Sequence, residues 1–281
     1  MTNTICVIGA GTMGSGIAQV AAQNGFTTLL FDINNEVLDK AKTNIQKSLQ
    51  SLVDKQKITA EESSTIFHRI RFVNDTNLCI ADVFIEAIIE KLEAKVSIFN
   101  QLATINSKDA IFASNTSSLS ISSIQKEIVE PGRVVGMHFF NPAQIMKLVE
   151  VVKGEQTDEH TAQTIYSLCK QLNKTPVICK DAPGFIVNRV ARHYYLEAMK
   201  MVELGIATYE NVDTIMEATG FKMGPFKLMD LIGMDINLAV SQSLYDAFDS
   251  AERFKPSPIQ IDKVAKGELG RKTGKGFYNY S

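Results

Sequence analysis

Ile5-Cys6-Val7-Ile8-Gly9-Ala10-Gly11-Thr12-Met13-Gly14-Ser15-Gly16 decides the fold. The apolar, β-branched run Ile5–Ile8 predicts a buried parallel strand. Gly9, Gly11 and Gly14 follow in G-x-G-x-x-G spacing, and Ile17, Val20 and Ala21 then recur at helical period. The three glycines do different things: Gly9 permits the tight strand-to-helix turn, Gly11 lets the backbone approach a pyrophosphate, and Gly14 lets the helix pack closely on the strand. N–H groups at the start of the helix then face the phosphates. The dinucleotide contacts are therefore assigned to Gly9, Gly11, Thr12, Met13 and Gly14.

The glycines alone also suit an ordinary turn. The second strand supplies the missing context, because Thr27-Thr28-Leu29-Leu30-Phe31 is β-prone and ends in Asp32. An acidic residue about 20 positions past the glycines is where a ribose 2′-OH is held. A carboxylate there repels a 2′-phosphate, so the expected cofactor is NAD rather than NADP.

The 281 residues are 45% hydrophobic and 21% charged, the balance of an ordinary globular protein. A formal net charge of −2 gives no global field for nucleic acid or an anionic membrane. No apolar stretch approaches the roughly 20 residues of a membrane span. Cys6, Cys79, Cys169 and Cys179 are scattered without a C-x-x-C pair, so they are expected as reduced thiols, with no metal site, in a cytoplasmic protein. A strand begins within a few residues of Met1, which leaves no room for a signal peptide.

Strand and helix patterns alternate through the first half. After Asp32, the residues Leu38, Ala41, Ile45, Leu49, Leu52 and Val53 mark a long amphipathic helix, whose other side carries Lys40, Lys42, Lys47, Lys55 and Lys57. Thr59 and Glu62 form a capping-box pattern for a further helix, which completes a helical insertion. Strands are predicted at 70–73, 82–87, 110–114, 133–137, 147–152 and 175–178, with helices near 93–102 and 161–172. Asp181-Ala182-Pro183-Gly184 breaks the pattern, and helices alone follow at 186–204, 209–218, 227–248 and 259–266. The expected fold class is α/β: a doubly wound Rossmann-type domain over 1–183, followed by an all-helical domain over 184–281. Phe226, Leu228, Met229, Leu231, Ile232, Met234 and Ile236 make that second half apolar on several faces. A domain of about 100 residues has a small core, so a homodimer through this half is expected.

Ligands of a doubly wound sheet sit at the carboxyl ends of its strands. Three polar segments fall there: Ser114-Asn115-Thr116-Ser117-Ser118, His138-Phe139-Phe140-Asn141-Pro142, and Glu150 on the next extended segment. A histidine among apolar residues is ordinarily a hydrogen-bonded core residue. His138, however, lies beside the expected cofactor, and an adjacent strand brings Glu150 toward one of its ring nitrogens. Such a pairing fixes the tautomer and stabilises the imidazolium. A carboxylate-held histidine beside a nicotinamide is suited to alcohol oxidation, taking the hydroxyl proton as the carbon gives up hydride. No G-x-S-x-G elbow is present, which disfavours acyl transfer.

With these segments, the chain closely resembles the short-chain L-3-hydroxyacyl-CoA dehydrogenase family, nearest its bacterial 3-hydroxybutyryl-CoA branch. The resemblance is carried by residues 7–14, 113–118, 138–142, 147–151, Pro183-Gly184-Phe185-Ile186-Val187-Asn188-Arg189, Met223-Gly224-Pro225-Phe226 and Gly274-Lys275-Gly276-Phe277-Tyr278, in order along the whole chain. It implies His138 as general acid/base with Glu150 as its partner, and Ser117 and Asn188 as hydrogen-bond partners of the substrate oxygen. It implies Asp32 on the adenine ribose, and Glu90, Lys95, Asn115, Ser117, Asn141 and Lys272 on the cofactor side. It also implies Ser48 and Lys55, with Ser117, as contacts of an acyl-CoA substrate. The chain departs from the family's Glu-Asn pattern at Glu90-Lys91. No fused hydratase is expected, and the implied place is fatty-acid and butanoate metabolism. Two alternatives remain open on the same residues: oxidation of free hydroxy or sugar acids, and a non-catalytic dinucleotide-binding structural protein.

Overall fold

The computed structural model describes residues 2–280. The chain folds as two compact units, 1–181 and 182–281.

The first unit is one eight-stranded sheet in the order β3-β2-β1-β4-β5-β6-β7-β8. The strands are β1 (Thr4–Ile8), β2 (Thr27–Phe31), β3 (Ile70–Val73), β4 (Val83–Glu86), β5 (Ile111–Ser114), β6 (Val134–Phe139), β7 (Leu148–Lys153) and β8 (Thr175–Lys180). Strands β1 to β6 run parallel, whereas β7 is antiparallel to β6 and carries β8 parallel beside it. The order reverses between β1 and β4, which opens the crevice where a doubly wound sheet binds ligands. Ile5, Val7, Leu30, Ile85, Ala113, Met137 and Val149 belong to one large buried cluster. Phe84 and Phe112 stack with ring centroids 5.2 Å apart, and Phe99 packs on Phe112. Burial of both sheet faces explains the continuous apolar runs of β1, β4 and β5.

Helix α1 (Thr12–Gln23) follows the glycine loop, and α2 (Asn35–Asp54) and α3 (Ala60–His68) form the helical insertion. The capping box at α3 is present as its sequence pattern predicts: Thr59 Oγ1 accepts the Glu62 N–H, and Glu62 accepts the Thr59 N–H. Three further helices complete the unit: α4 (Leu92–Ile105), α5 (Ile121–Gln125) and α6 (Glu159–Gln171).

The second unit contains α7 (Val187–Glu203), α8 (Tyr209–Ala218), α9 (Pro225–Ile232), α10 (Met234–Ala247) and α11 (Pro258–Ala265). The single helix expected over 227–248 is thus two. Gly233, at φ +105°, takes a backbone conformation outside the helical region and ends α9. The continuous apolar pattern hides that break. Met199, Phe226, Met229, Met234 and Phe277 form the core of the unit. Two buried aspartates organise its edges. Asp213 accepts the N–H groups of Phe226 and Lys227 at the start of α9, together with the Tyr278 hydroxyl. Asp230 accepts the Phe277 and Tyr278 N–H groups and the Tyr280 hydroxyl, each at 2.9 Å. A Cβ on Gly276 would lie 2.0 Å from Asp230 Oδ1, so the Gly-Phe-Tyr segment is shaped to this carboxylate.

Candidate active site

The glycine loop separates what the fold requires from what a ligand would require. Gly9 has φ +97°, and a Cβ there would meet the Ala87 carbonyl oxygen at 2.7 Å. A Cβ on Gly14 would fall 1.7 Å from the Gly9 oxygen. Gly11 has nothing within 4 Å of its Cβ position, so no protein group accounts for the missing side chain. The Ser15 N–H returns to the Gly11 carbonyl, so the N–H groups of Thr12, Met13 and Gly14 precede the first intrahelical bond. That arrangement fits a dinucleotide pyrophosphate at the start of α1. Asp32 directly follows β2 beside this loop. Its Oδ2 accepts the Ala10 N–H at 2.9 Å and its Oδ1 the Asn34 N–H at 3.0 Å.

The segment after β4 borders the same loop, and it carries a chain of charges. Glu86, fully buried, accepts the Ile88 N–H at 2.7 Å and the Ser114 hydroxyl at 2.6 Å. Lys95, 1% exposed, donates to both Glu86 oxygens at 2.7 and 2.9 Å and lies 3.1 Å from Glu90 Oε2. Glu90 Oε1 in turn accepts the Thr116 hydroxyl, the Ser117 and Ser118 N–H groups, and the Ser118 hydroxyl. Partial burial acts to raise the Glu90 pKa. The Lys95 charge and the bonds from Thr116, Lys95 and Ser118 outweigh it and hold the carboxyl below its ordinary range. Lys95 therefore meets its surroundings through two carboxylates, and Ser117 sits exposed on the turn that Glu90 holds.

His138 and Glu150 stand directly opposite each other across the antiparallel β6/β7 pair. Nδ1 of His138 lies 2.7 Å from Glu150 Oε2, with the two side chains 7% and 1% exposed. The strand expected to stop at 137 continues to Phe139, so His138 is inside β6. Alternation sends Val135, Met137 and Phe139 into the large core and His138 to the other face. The Phe140 ring packs 4.6 Å from the imidazole. Asn115 ties the neighbouring strand ends together, its Oδ1 accepting the Phe139 N–H at 2.9 Å.

The remaining predicted residues are placed by their own elements. Asn141 is exposed and precedes a cis peptide bond to Pro142. Ser48 lies on α2 and Lys55 caps its C-terminus, seven residues on and so within about 20° of the same helix face. Lys91 is the N-cap residue of α4 and is exposed. Within the helical unit, Asn188 is the second residue of α7, and Lys272 donates to Asp235 at 2.5 and 2.7 Å. Burial pushes the Cys169 thiol up to about 12 and the Cys179 thiol up to about 11, so neither is a nucleophile at neutral pH. Among the described residues, no cluster of His, Cys, Asp or Glu could hold a metal ion, and no helix is long and apolar enough to cross a membrane.

The family comparison decides between the dinucleotide folds that share this geometry. The NAD binding domain model of 3-hydroxyacyl-CoA dehydrogenase matches residues 4–182, and the C-terminal domain model of the same enzymes matches 184–280. The chain belongs to the 3-hydroxyacyl-CoA dehydrogenase family. It is 46% identical over 279 residues to a 3-hydroxyadipyl-CoA dehydrogenase of Escherichia coli, covering 99% of this chain and 59% of the relative. The chain thus spans about three-fifths of that relative's length. It is 42% identical to a probable 3-hydroxybutyryl-CoA dehydrogenase of Deinococcus radiodurans, covering 98% of this chain and 99% of that one. The crystal structure of the (S)-3-hydroxybutyryl-CoA dehydrogenase of Ralstonia eutropha superimposes with a TM-score of 0.94 at 37% identity, over all of both chains.

In this member of the 3-hydroxyacyl-CoA dehydrogenase family, sequence reasoning misses Glu86, which lies at the buried end of the charge chain. A signal for Glu86 is present in the sequence: like Asp32, it is an acid at the end of an apolar parallel strand.

Proposed function

We propose that this chain interconverts (S)-3-hydroxyacyl-CoA and 3-oxoacyl-CoA with NAD(H), with four-carbon acyl groups as its natural class. The observation that carries this reading is the buried His138–Glu150 pair at 2.7 Å, on the sheet that also bears the glycine loop. Bound NAD supplies the hydride acceptor, and NADH the donor in the reverse direction. His138 takes the proton of the substrate 3-hydroxyl, and Glu150, held on Nδ1, stabilises the resulting imidazolium. In reduction, the imidazolium returns that proton to the oxygen formed at C3. Ser117 and Asn188 hydrogen-bond the reacting oxygen in this reading. Gly9, Gly11, Thr12, Met13, Gly14, Asp32, Glu90, Asn115, Asn141 and Lys272 serve the cofactor, and Lys95 serves it through Glu90. Ser48 and Lys55 meet the CoA moiety, where a lysine suits a phosphate as a point charge. The names of the Deinococcus and Ralstonia relatives support the four-carbon class.

Two further assignments belong to the same reading. Leu231, Ile232 and Ile236 are 49%, 37% and 48% exposed on the helical unit, which supports a homodimer through that half. Four free cysteines, three of them buried, suit a reducing cytoplasm.

The test is loss of NADH absorbance with acetoacetyl-CoA, repeated with 3-oxoadipyl-CoA, free acetoacetate and NADPH. Turnover of acetoacetyl-CoA in preference to the others supports the reading. Preference for 3-oxoadipyl-CoA moves the natural substrate to a dicarboxylic acyl chain. Oxidation of NADH with free acetoacetate points to a hydroxy-acid enzyme, and NADH binding without turnover to a non-catalytic protein.

A further inference from the structure

We propose that Glu86 is a positioning residue, which sets the Ser117 turn through Lys95 and Glu90 without itself meeting a ligand. The inference rests on the function proposed above for its consequence in turnover, but not for its consequence in cofactor binding.

Every contact needed for the relay is present. Glu86 is fixed at its own end by the Ile88 N–H and the Ser114 hydroxyl, at the C-terminal ends of β4 and β5. Lys95 Nζ donates to both Glu86 oxygens and forms an ion pair with Glu90 Oε2 at 3.1 Å, so its charge is shared between the two carboxylates. Lys95 cannot move without breaking charge-assisted bonds in a site closed to water, where unpaired charge is most costly. Its position therefore dictates where Glu90 Oε2 lies. The other Glu90 oxygen collects the bonds from Thr116, Ser117 and Ser118. The turn thus hangs from a carboxylate whose place is determined two residues further down. A surface Glu90 alone would hold the turn loosely, because 37% of its side chain is exposed. The anchor is in the sheet.

The alternative is that Glu86 merely neutralises Lys95 and supports the fold. The two roles separate in a double-mutant cycle with near-isosteric changes. Glu86→Gln places an amide donor where Lys95 needs an acceptor, and Glu90→Gln ends the relay at the exposed carboxylate. NADH affinity, read by fluorescence titration without substrate, is expected to weaken by about tenfold in Glu86→Gln, the scale of one charge-assisted bond. In the Glu90→Gln background the same change is expected to weaken it less than about twofold, because neighbours in one chain do not act additively. In turnover, KM for NADH and for the acyl-CoA is expected to rise by a similar factor, and kcat to fall by about threefold to tenfold, because Ser117 moves with the turn while His138 and Glu150 lie outside the relay. Unchanged NADH affinity in Glu86→Gln would overturn the proposal, and so would an undiminished effect in the Glu90→Gln background. A fall confined to thermal stability would assign Glu86 to the fold alone. Should Glu86→Gln not accumulate folded, Ser114→Ala loosens the same anchor without a charge change. A Glu90-dependent weakening of roughly two- to threefold is then expected, and its absence overturns the proposal. Failure of wild type to turn over any acyl-CoA would remove the proposed function but leave the NADH cycle to decide this one.

Discussion

Asp32 Oδ2 accepts the Ala10 N–H at 2.9 Å, so the acid that follows β2 is also a brace for the glycine loop. Replacing it therefore does two things at once. Asp32→Ser is expected to raise NADPH use relative to NADH by removing negative charge, while weakening both cofactors by about tenfold through a looser loop. Titration of both reduced cofactors checks this. A variant with unchanged NADPH-to-NADH preference would remove Asp32 from the ribose site.

The three motif glycines are expected to fail in different ways. Gly11→Ala meets no protein atom and should leave the melting temperature within about 2 °C of wild type while weakening NADH binding by about tenfold or more. Gly14→Ala puts its methyl into the Gly9 carbonyl and should lower the melting temperature whether or not cofactor is present. Thermal melts alongside NADH titration separate the two. Gly11→Ala with normal NADH affinity would mean that the open space there is not used by the cofactor.

His138→Gln is expected to reduce kcat by roughly 10²–10⁴ with NADH affinity near wild type, because acid–base work is lost and cofactor contacts are not. Glu150→Gln keeps the shape but withdraws the charge from the imidazole. It is expected to reduce kcat by about 10² or more, with little change in KM. Steady-state kinetics with acetoacetyl-CoA and NADH provides both readings.

In the helical unit, bonds from Lys263 and then Lys275 hold Glu268 down to about 2, from an ordinary 4.5. A depressed carboxyl stabilises the fold above its unfolded pKa, and that contribution is lost as pH falls through the folded one. The melting-temperature difference between wild type and Glu268→Gln should therefore be constant above about pH 5 and shrink between pH 4.5 and 2. A difference that stays constant to pH 2 would show that the lysine contacts do not persist in solution.

Much of this was legible in the chain because strand period, turn glycines and terminal acids agree locally. The runs at 27–31 and 70–73 form strands over those same residues. Thr59 and Glu62 announce their helix start, and the approach of Glu150 to His138 follows from two adjacent extended segments. What stayed hidden depends on backbone conformation or on partners far apart in sequence. Gly233 breaks a helix whose apolar pattern runs straight through it. The resemblance places Lys95 on the cofactor side, but its burial on Glu86 emerges only from the structure. Nothing local in the sequence marks Asp213 and Asp230, each 1% exposed and tied to residues far along the chain.

The antiparallel junction of β6 and β7 makes the acid–base pair a proofreader of strand register. A slip of one residue in either strand would turn Glu150 to the opposite face of the sheet from His138. The connection at 140–147 is pinned as well: Phe140 packs on the imidazole, Ala143 is buried in the large core, and Lys174 donates to the Ala143 and Met146 carbonyls. A change of length in either strand is therefore read out directly at the site, because a two-atom contact of 2.7 Å does not survive a shifted neighbour.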